Sequence, residues 1–138
     1  MSPSTSPSQL ILNQGAFARD LARTLLHAEQ HGLLLTLGEA WRSQEVQELY
    51  YKTGRTKTLT SRHSLRLAVD VNAYDLRDGG RLLWAEPDRY AADCARFKPV
   101  ADYFVGLDPL NVWGGDWDRD GDVLDHTFRD PYHLERKP

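Results

Sequence analysis

Hydrophobic and polar positions predict two helices in the first half of the chain. From about Leu10 to His31 the apolar residues recur at helical spacing, and Gly32 follows as a capping residue. Ser43 is a predicted N-cap for a second helix, from about Gln44 to Lys52, and Gly54 ends it. The apolar side of this second helix is expected to consist of Val46, Leu49 and Tyr50.

A third helix is predicted in the second half of the chain. Pro87 suits its first turn, and the helical pattern continues from about Asp88 to Phe104. Pro99 lies inside this range and is expected to kink or shorten the helix, because proline has no backbone N–H to donate. The predicted buried face consists of Tyr90, Cys94, Phe97 and Ala101.

Three further segments have the patterns of strands. Leu33 to Ala40 is nearly continuous in apolar residues, which is typical of a buried strand. Leu65 to Tyr74 alternates between apolar and other residues, and Asp70 falls on its polar side. Asp78-Gly79-Gly80 is a hairpin turn signal, and it predicts a returning strand from Arg81 to Trp84.

The chain is turn-rich from Leu107 onward, and a short edge strand is predicted from Tyr132 to Glu135. This order of elements indicates an α+β fold in which helices flank a small, mainly antiparallel sheet. The 138 residues suit one domain, which we expect to span residues 10–138. Residues 1–9 are rich in serine and proline, which predicts a disordered N-terminal segment.

Composition argues against several classes of function. A net charge of -3 disfavours a nucleic-acid partner, because such proteins usually carry a basic face. The N terminus has neither a basic start nor an apolar run, and no segment approaches the ~20 apolar residues of a membrane span. We therefore expect a monomer without a signal peptide that does not insert into membranes. The single cysteine, Cys94, allows no disulfide within the chain and is expected to be buried.

A loose series of basic residues stands in the middle of the chain. It could form an ordinary solvated surface or lie near an anionic substrate, and the spacing leaves both interpretations open. Its members are Lys52, Arg55, Lys57, Arg62 and Arg66.

Two short segments carry residues with the chemistry of a metal site. His63 is expected in a loop before the alternating segment, Asp70 lies within that segment, and His133 lies near the C terminus. Two imidazoles and one carboxylate are the ligand count of a catalytic zinc site, which keeps a fourth position for water. Asp130 stands three residues before His133 and is a candidate to take a proton from that water. The alternative is a set of loop and surface residues, because neither segment alone specifies a zinc site.

In combination these segments resemble a known family, the zinc D-Ala-D-Ala peptidases and L-alanyl-D-glutamate endopeptidases. The family includes VanX/VanY-type enzymes and many phage endolysins, and its motifs are S-x-H-x-x-G-x-A-x-D, a later D/E-x-x-H, and an upstream Arg-Ser after a strand. The matching residues are Ser61, His63, Ala68 and Asp70; Asp130 and His133; and Arg42-Ser43. The stretch from Trp113 to Trp117 (WGGDW) is similar to the phage endolysin branch. The resemblance implies a hedgehog/D-Ala-D-Ala-peptidase-like fold.

The resemblance also implies roles for the residues of the two later motifs. It implies that zinc is bound by His63, Asp70 and His133. Asp130 would act as the general base and later as the acid that protonates the leaving amine.

For the upstream and intervening residues the resemblance implies contacts with the substrate. Arg42 would stabilise the oxyanion or clamp a substrate carboxylate, because a guanidinium offers paired donors for either purpose. Ser61 would hydrogen-bond the substrate. The sequence departs from the family at Arg66, which stands where the family has glycine. A glycine implies tight backbone geometry or close approach, so the arginine suggests either a differently shaped turn or a side chain offered to substrate.

An acidic segment reads D-W-D-R-D-G-D, the first half of an EF-hand-like calcium loop with oxygen ligands at alternate positions. The candidate calcium ligands are Asp116, Asp118, Asp120 and Asp122. Thr127 stands at the twelfth position, where a bidentate glutamate is expected, so an acidic solvated turn is the alternative. His126 lies between this segment and Asp130, and the sequence assigns it no definite role.

The sequence therefore predicts a zinc metallopeptidase that cuts the peptide part of bacterial peptidoglycan. The specific expectation is a phage endolysin that cleaves L-Ala-D-Glu, is kept in the host cytoplasm, and reaches the wall through a membrane-permeabilising partner. One alternative is a D,D-carboxypeptidase or dipeptidase acting on D-Ala-D-Ala, and another is a non-catalytic zinc-containing binding module of the same fold. Four tryptophans could line a substrate groove or pack in the core: Trp41, Trp84, Trp113 and Trp117.

Overall fold

The computed structural model describes residues 7–124 and 129–138 and contains three helices, a short 3₁₀ turn and five strands in those ranges. The helices are α1 (Gln9–Gln30), α2 (Gln44–Lys52) and α3 (Tyr90–Leu107), with the 3₁₀ turn at Pro87–Arg89. The strands are β1 (Leu33–Leu37), β2 (Ala68–Asp75), β3 (Arg81–Leu82), β4 (Asn111–Trp113) and β5 (His133–Arg136). The predicted α+β class and antiparallel sheet are confirmed, since every strand pair of the described residues is antiparallel.

Helix α1 begins and ends close to its predicted limits. The hydroxyl of Ser8 accepts the backbone N–H of Ile11 at 3.2 Å and caps the first turn. On the buried face, Phe17 meets Phe104 of α3 edge-to-face, with ring centroids 6.1 Å apart. Residues 1–6 of the predicted disordered segment lie outside the described residues, and the limits of the domain stay a prediction.

The strand order in the sheet is β1-β2-β5-β4, and β3 pairs with the far end of β2. Two predictions about edges were therefore wrong. The segment predicted as a buried strand is the edge strand β1, in which Leu34 and Leu37 are exposed. The predicted C-terminal edge strand is β5, which lies between β2 and β4 inside the sheet. Strand β4 was not predicted, because its three residues fall in a segment dominated by turn signals.

Two predictions about the helices were also wrong in part. Helix α2 has the predicted limits and the predicted N-cap, but its buried residue is Gln47, and Leu49 is exposed. Helix α3 continues through Pro99 to Leu107 instead of shortening. Cys94 is buried in the core as predicted and accepts a hydrogen bond from the indole of Trp84 at 3.4 Å.

One face of the sheet packs against α1 and α3 and supplies most of the hydrophobic core. The alternation of β2 places Val69, Val71 and Ala73 in this core, together with Phe97 of α3 and Leu134 of β5. Asp70 consequently points to the other face, where the candidate site lies. Among the described residues, no helix combines the length and the apolar character that a membrane span requires.

Candidate active site

Asp70 and His133 are brought together by the pairing of β2 with β5. Their Cα atoms are register partners on the two antiparallel strands, so their side chains leave the same face side by side. Nδ1 of His133 lies 3.2 Å from Oδ1 of Asp70. Two residues that are 63 positions apart in sequence therefore become direct neighbours.

His63 reaches the same place from a tight turn that precedes β2. The N–H groups of Leu65 and Leu67 both donate to the carbonyl oxygen of Arg62, at 3.2 and 2.9 Å, which curls the chain around His63. Nε2 of His63 then lies 3.5 Å from Oδ1 of Asp70. Its ring meets the ring of His133 with centroids 5.0 Å apart, so all three predicted ligands converge.

These contacts move the pKa values of Asp70 and His133 away from their usual ranges. Burial would raise the pKa of the Asp70 carboxyl, but hydrogen bonds from His133 and His63 hold it well below its usual range. Burial would lower the pKa of His133, but hydrogen bonds to Asp70 and Glu135 raise it to about 9. A carboxylate that stays ionised between two imidazoles is an arrangement in which a bound cation can replace the shared proton.

Glu135 completes the surroundings of His133, and sequence reasoning missed it. Its Oε1 lies 2.8 Å from Nε2 of His133, while its Oε2 lies 3.6 Å from Nε of Arg62. A carboxylate on the outer nitrogen of a histidine fixes the ring and frees the inner nitrogen to act as a ligand. Strand alternation could have found it, because residues two apart on a strand share one face.

Asp130 lies in a turn that is fixed against Gly114. The Asp130 N–H donates to the carbonyl oxygen of Gly114 at 3.1 Å, and the Gly114 N–H donates to that of His133 at 2.8 Å. A Cβ added at Gly114 would overlap the Asp130 carbonyl oxygen and lie 3.0 Å from the Cβ of His133. The glycine thus permits the close approach that places Asp130 in the same cavity as the three ligands. Burial raises the pKa of the Asp130 carboxyl, although the nearby His133 opposes this effect.

Arg42 is carried to the cavity by the segment that follows β1. The Asp70 N–H donates to the carbonyl oxygen of Glu39 at 2.8 Å, which ties this segment to β2. The guanidinium of Arg42 pairs with the carboxylate of Glu39 and donates to Oε1 of Gln47 at 2.8 Å. It also lies over the ring of Tyr50, 4.8 Å from the centroid. Arg42 is therefore held in place on three sides.

The cavity above these residues has a volume of about 680 Å³ and opens to solvent. Ser61 lines it, and its Oγ accepts the His63 N–H at 3.1 Å. Trp117 also lines it, with its ring centroid 5.4 Å from that of His133. Trp84 and Trp113 are buried in the core, and Trp41 is exposed on a surface outside the cavity.

Of the basic series, Arg55 and Arg62 line the cavity and the other three members do not. Arg66, at the family's glycine position, has a φ of +57°, so the backbone keeps the left-handed conformation that glycine favours. Its side chain lies over the ring of Trp41, 5.1 Å from the centroid, on a different surface from the cavity. The conformation is therefore retained, and the side chain is directed away from the candidate site.

The acidic segment forms turns, and its four aspartates do not line the cavity. The carboxylates of Asp116, Asp118 and Asp120 approach one another within 4.8 Å, but Oδ1 of Asp122 accepts the backbone N–H of Leu124 at 2.9 Å. Residues 108–115, on the N-terminal side of the segment, contain no helix, unlike an EF-hand. The calcium site therefore stays a prediction, and His126 and Thr127 lie outside the described residues.

The three converging ligands fit a divalent zinc-type ion. Ligand atoms about 2.0–2.1 Å from a tetrahedral zinc ion stand about 3.3 Å from one another. The two separations from Oδ1 of Asp70, 3.2 and 3.5 Å, bracket that value. The donor set of two nitrogens and one oxygen is also that of catalytic rather than structural zinc sites, which usually contain cysteine.

Comparison with known proteins found a similar crystal structure and a matching family. The fold is similar to the crystal structure of the L-Ala D-Glu endopeptidase ChiX of Serratia marcescens, with a TM-score of 0.58 and 26% identity, over 94% of this chain and 87% of that chain. No curated protein sequence matches the chain. The profile of one peptidase family, described as D-alanyl-D-alanine carboxypeptidase, matches residues 54–136, which include His63, Asp70, Asp130 and His133. Since the match extends over more than half of the sequence, the chain belongs to the D-alanyl-D-alanine carboxypeptidase family.

Proposed function

We propose that this protein is a zinc peptidase that hydrolyses the peptide stem of bacterial peptidoglycan at the L-Ala-D-Glu bond. The observation that carries the proposal is the convergence of His63, Asp70 and His133 at the floor of an open cavity. The choice of bond is supported by the likeness to an L-Ala D-Glu endopeptidase over nearly the whole of both chains.

The ligands in this proposal are Nε2 of His63, Oδ1 of Asp70 and Nδ1 of His133. Zinc bound there would lower the pKa of a water in its fourth position to about 7 and polarise the scissile carbonyl. Glu135 holds the His133 ring so that Nδ1 faces the other two ligands.

Asp130 moves the protons in this mechanism. Its carboxylate takes a proton from the attacking water and then gives it to the leaving amine. Its buried position raises its pKa, which makes the carboxyl a better proton carrier near neutral pH than an exposed aspartate.

Arg42 and Ser61 would donate hydrogen bonds to the substrate and would not transfer protons. Arg42 is held by Glu39 and Gln47, so it can present donors to the carbonyl oxygen as negative charge develops there. The Oγ of Ser61 accepts the His63 N–H, which leaves its own hydroxyl proton available for the substrate.

A second candidate, a D,D-carboxypeptidase or dipeptidase acting on D-Ala-D-Ala, is favoured by the description of the matching family. The two reactions give different products. Digestion of purified peptidoglycan, followed by mass spectrometry of the new amino termini, separates them. New D-Glu amino termini support the endopeptidase, and release of D-alanine alone overturns it.

Chelation and one substitution test whether the site is catalytic. We expect a chelator to abolish digestion and added zinc to restore it. Asp130→Ala should bind one zinc ion like the parent and lose about 10²–10⁴-fold in rate, the usual contribution of a general base. Asp102→Ala removes an exposed carboxylate outside the cavity and is the matched control. If Asp130→Ala digests walls as fast as the control, the assignment of the base is wrong. If neither the parent nor the control digests walls while zinc is bound, a non-catalytic binding module of the same fold is favoured.

We further propose that the biological role is that of a phage endolysin, on the likeness of the Trp113 to Trp117 stretch to that branch. In that role the protein is kept in the host cytoplasm and meets its substrate once the membrane has been permeabilised. The purified protein should then lyse bacteria whose envelope has been permeabilised. Digestion of isolated peptidoglycan without lysis of such cells would count against this role and leave the peptidase assignment intact.

A further inference from the structure

The cavity carries three arginines, and two of them already have a carboxylate partner. Arg42 pairs with Glu39, and Nε of Arg62 lies 3.6 Å from Glu135. Arg55 lines the same cavity, is exposed, and has no carboxylate partner within the part of the chain that the structure describes.

The position of Arg55 is nevertheless fixed. Its backbone N–H donates to the carbonyl oxygen of Tyr50 at 2.8 Å, at the C-terminal end of α2. Gly54, with a φ of +79°, makes the turn that brings the chain back to this position. The guanidinium lies over the Tyr50 ring, 5.1 Å from the centroid. Arg55 is thus oriented by contacts that leave its hydrogen-bond donors free.

Two guanidinium groups share the ring of Tyr50, since Arg42 lies 4.8 Å from the same centroid. Two positive charges on this part of the cavity wall attract an anion. The neighbouring wall adds the hydroxyl group of Thr60, which also lines the cavity, while the Thr58 hydroxyl donates to the Thr60 carbonyl oxygen at 2.9 Å. This wall is tied to α2 by the Gln47 side chain, which donates to the Thr58 carbonyl oxygen at 2.7 Å. The wall therefore has the charge and the donors of a preformed carboxylate site.

We propose that Arg55 binds the free carboxylate of the D-Glu residue of the stem peptide and makes the enzyme select substrates in which that group is ionised. The inference rests on the proposed function. D-Glu has two carboxyl groups. Where the peptide chain continues through the side-chain carboxyl, the other is an anion on the carbon that carries the scissile nitrogen. A planar guanidinium binds a carboxylate through two parallel hydrogen bonds, which suits this task better than an ammonium group.

The test compares two acetylated stem peptides that differ only in whether the free group of D-Glu is a carboxylate or a carboxamide. Each is measured as kcat/KM with the parent, Arg55→Gln, Arg55→Lys and Lys57→Gln. Lys57 is the matched control, because it lies in the same segment but does not line the cavity, and its loss changes the net charge equally.

We expect the parent to prefer the carboxylate peptide by about tenfold to a hundredfold, the usual effect of hydrogen bonds to a charged group. Arg55→Gln should lower kcat/KM for the carboxylate peptide alone and bring the ratio close to one. Arg55→Lys should give an intermediate ratio, and Lys57→Gln should keep the parental ratio. A merely structural role of Arg55 would lower both rates together and leave the ratio unchanged.

The possible failures are distinguishable. If the parent cleaves neither peptide at the L-Ala-D-Glu bond, the proposed function is overturned and this inference falls with it. If the parent cleaves both peptides equally, or if Arg55→Gln keeps the parental preference, the function stands and the role of Arg55 is refuted.

Discussion

Gly114→Ala is the substitution that most directly tests how the candidate site is positioned. The Gly114 carbonyl oxygen accepts the N–H of Asp130, the proposed base, and the Gly114 N–H donates to the carbonyl oxygen of His133, one proposed ligand. A Cβ at this position would overlap the Asp130 carbonyl oxygen and stand 3.0 Å from the Cβ of His133. Both neighbours are held by their own turn, so neither can move away without moving the site.

The expected magnitude follows from this overlap. Normal van der Waals separation requires the two segments to move apart by on the order of 1 Å, and a misplacement of that size near reacting groups costs about 10²-fold in rate. The overpacking should also lower the free energy of unfolding by about 1–3 kcal/mol. A domain of ordinary stability, about 5–15 kcal/mol, remains folded after such a loss. The variant should therefore be folded but about a hundredfold less active.

The assay is the digestion rate on purified peptidoglycan, with zinc content and urea unfolding measured on the same samples. Gly15→Ala is the matched control, because a Cβ there meets nothing within 4 Å. It lies inside α1, where replacing glycine should raise the free energy of unfolding by about 0.5–1 kcal/mol without affecting the rate. If Gly114→Ala digests peptidoglycan as fast as this control, the close approach of Gly114 does not position the site.

Three further predictions concern residues around the site and the sheet. Glu135→Gln should weaken zinc binding by about 10–100-fold, as measured by competition with a chelator, because the carboxylate that orients His133 is lost. Arg66→Gly should raise the free energy of unfolding or leave it unchanged in urea titrations, since glycine adopts a φ of +57° without strain. Hydrogen bonds from Arg96 hold the pKa of Asp75 below its usual value, so this pair stabilises the fold above about pH 4, and the benefit is lost as the pH falls through the folded-state pKa. Arg96→Met should therefore cost about 3 kcal/mol at pH 7 and progressively less below pH 4, measured by urea unfolding at each pH.

Local signals in the sequence were sufficient for the limits of α1 and α2. The limits of α2 match the prediction because Ser43 and Gly54 act within one turn of the helix ends. Strand order could not be predicted in the same way. The order β1-β2-β5-β4 depends on pairing between segments far apart in sequence, and neither β1 nor β5 contains a signal that distinguishes an edge from an interior position.

The proposed ligands could be predicted because their motifs, taken together, resemble those of a known family, whereas their supporting residues could not all be found. Glu135 was accessible from strand alternation, since it lies two residues after His133. Gln47 was not. A glutamine on the inner face of a short helix contradicts the hydrophobic pattern, and it is explained only by its bonds to Arg42 and to the Thr58 carbonyl oxygen.

Arg66 shows why a departure from the family motif need not alter the site. Its left-handed backbone costs an arginine roughly 1–2 kcal/mol relative to a favoured conformation, and the contact with the Trp41 ring offsets part of this cost. The turn keeps this conformation because the Arg66 N–H donates to the His63 carbonyl oxygen at 3.2 Å, immediately before the chain enters β2 and reaches Asp70. The geometry that brings two of the proposed ligands together is therefore determined by the turn and the strand pairing. The residue at the family's glycine position, here Arg66, affects only the conformational free energy that the left-handed turn costs the fold.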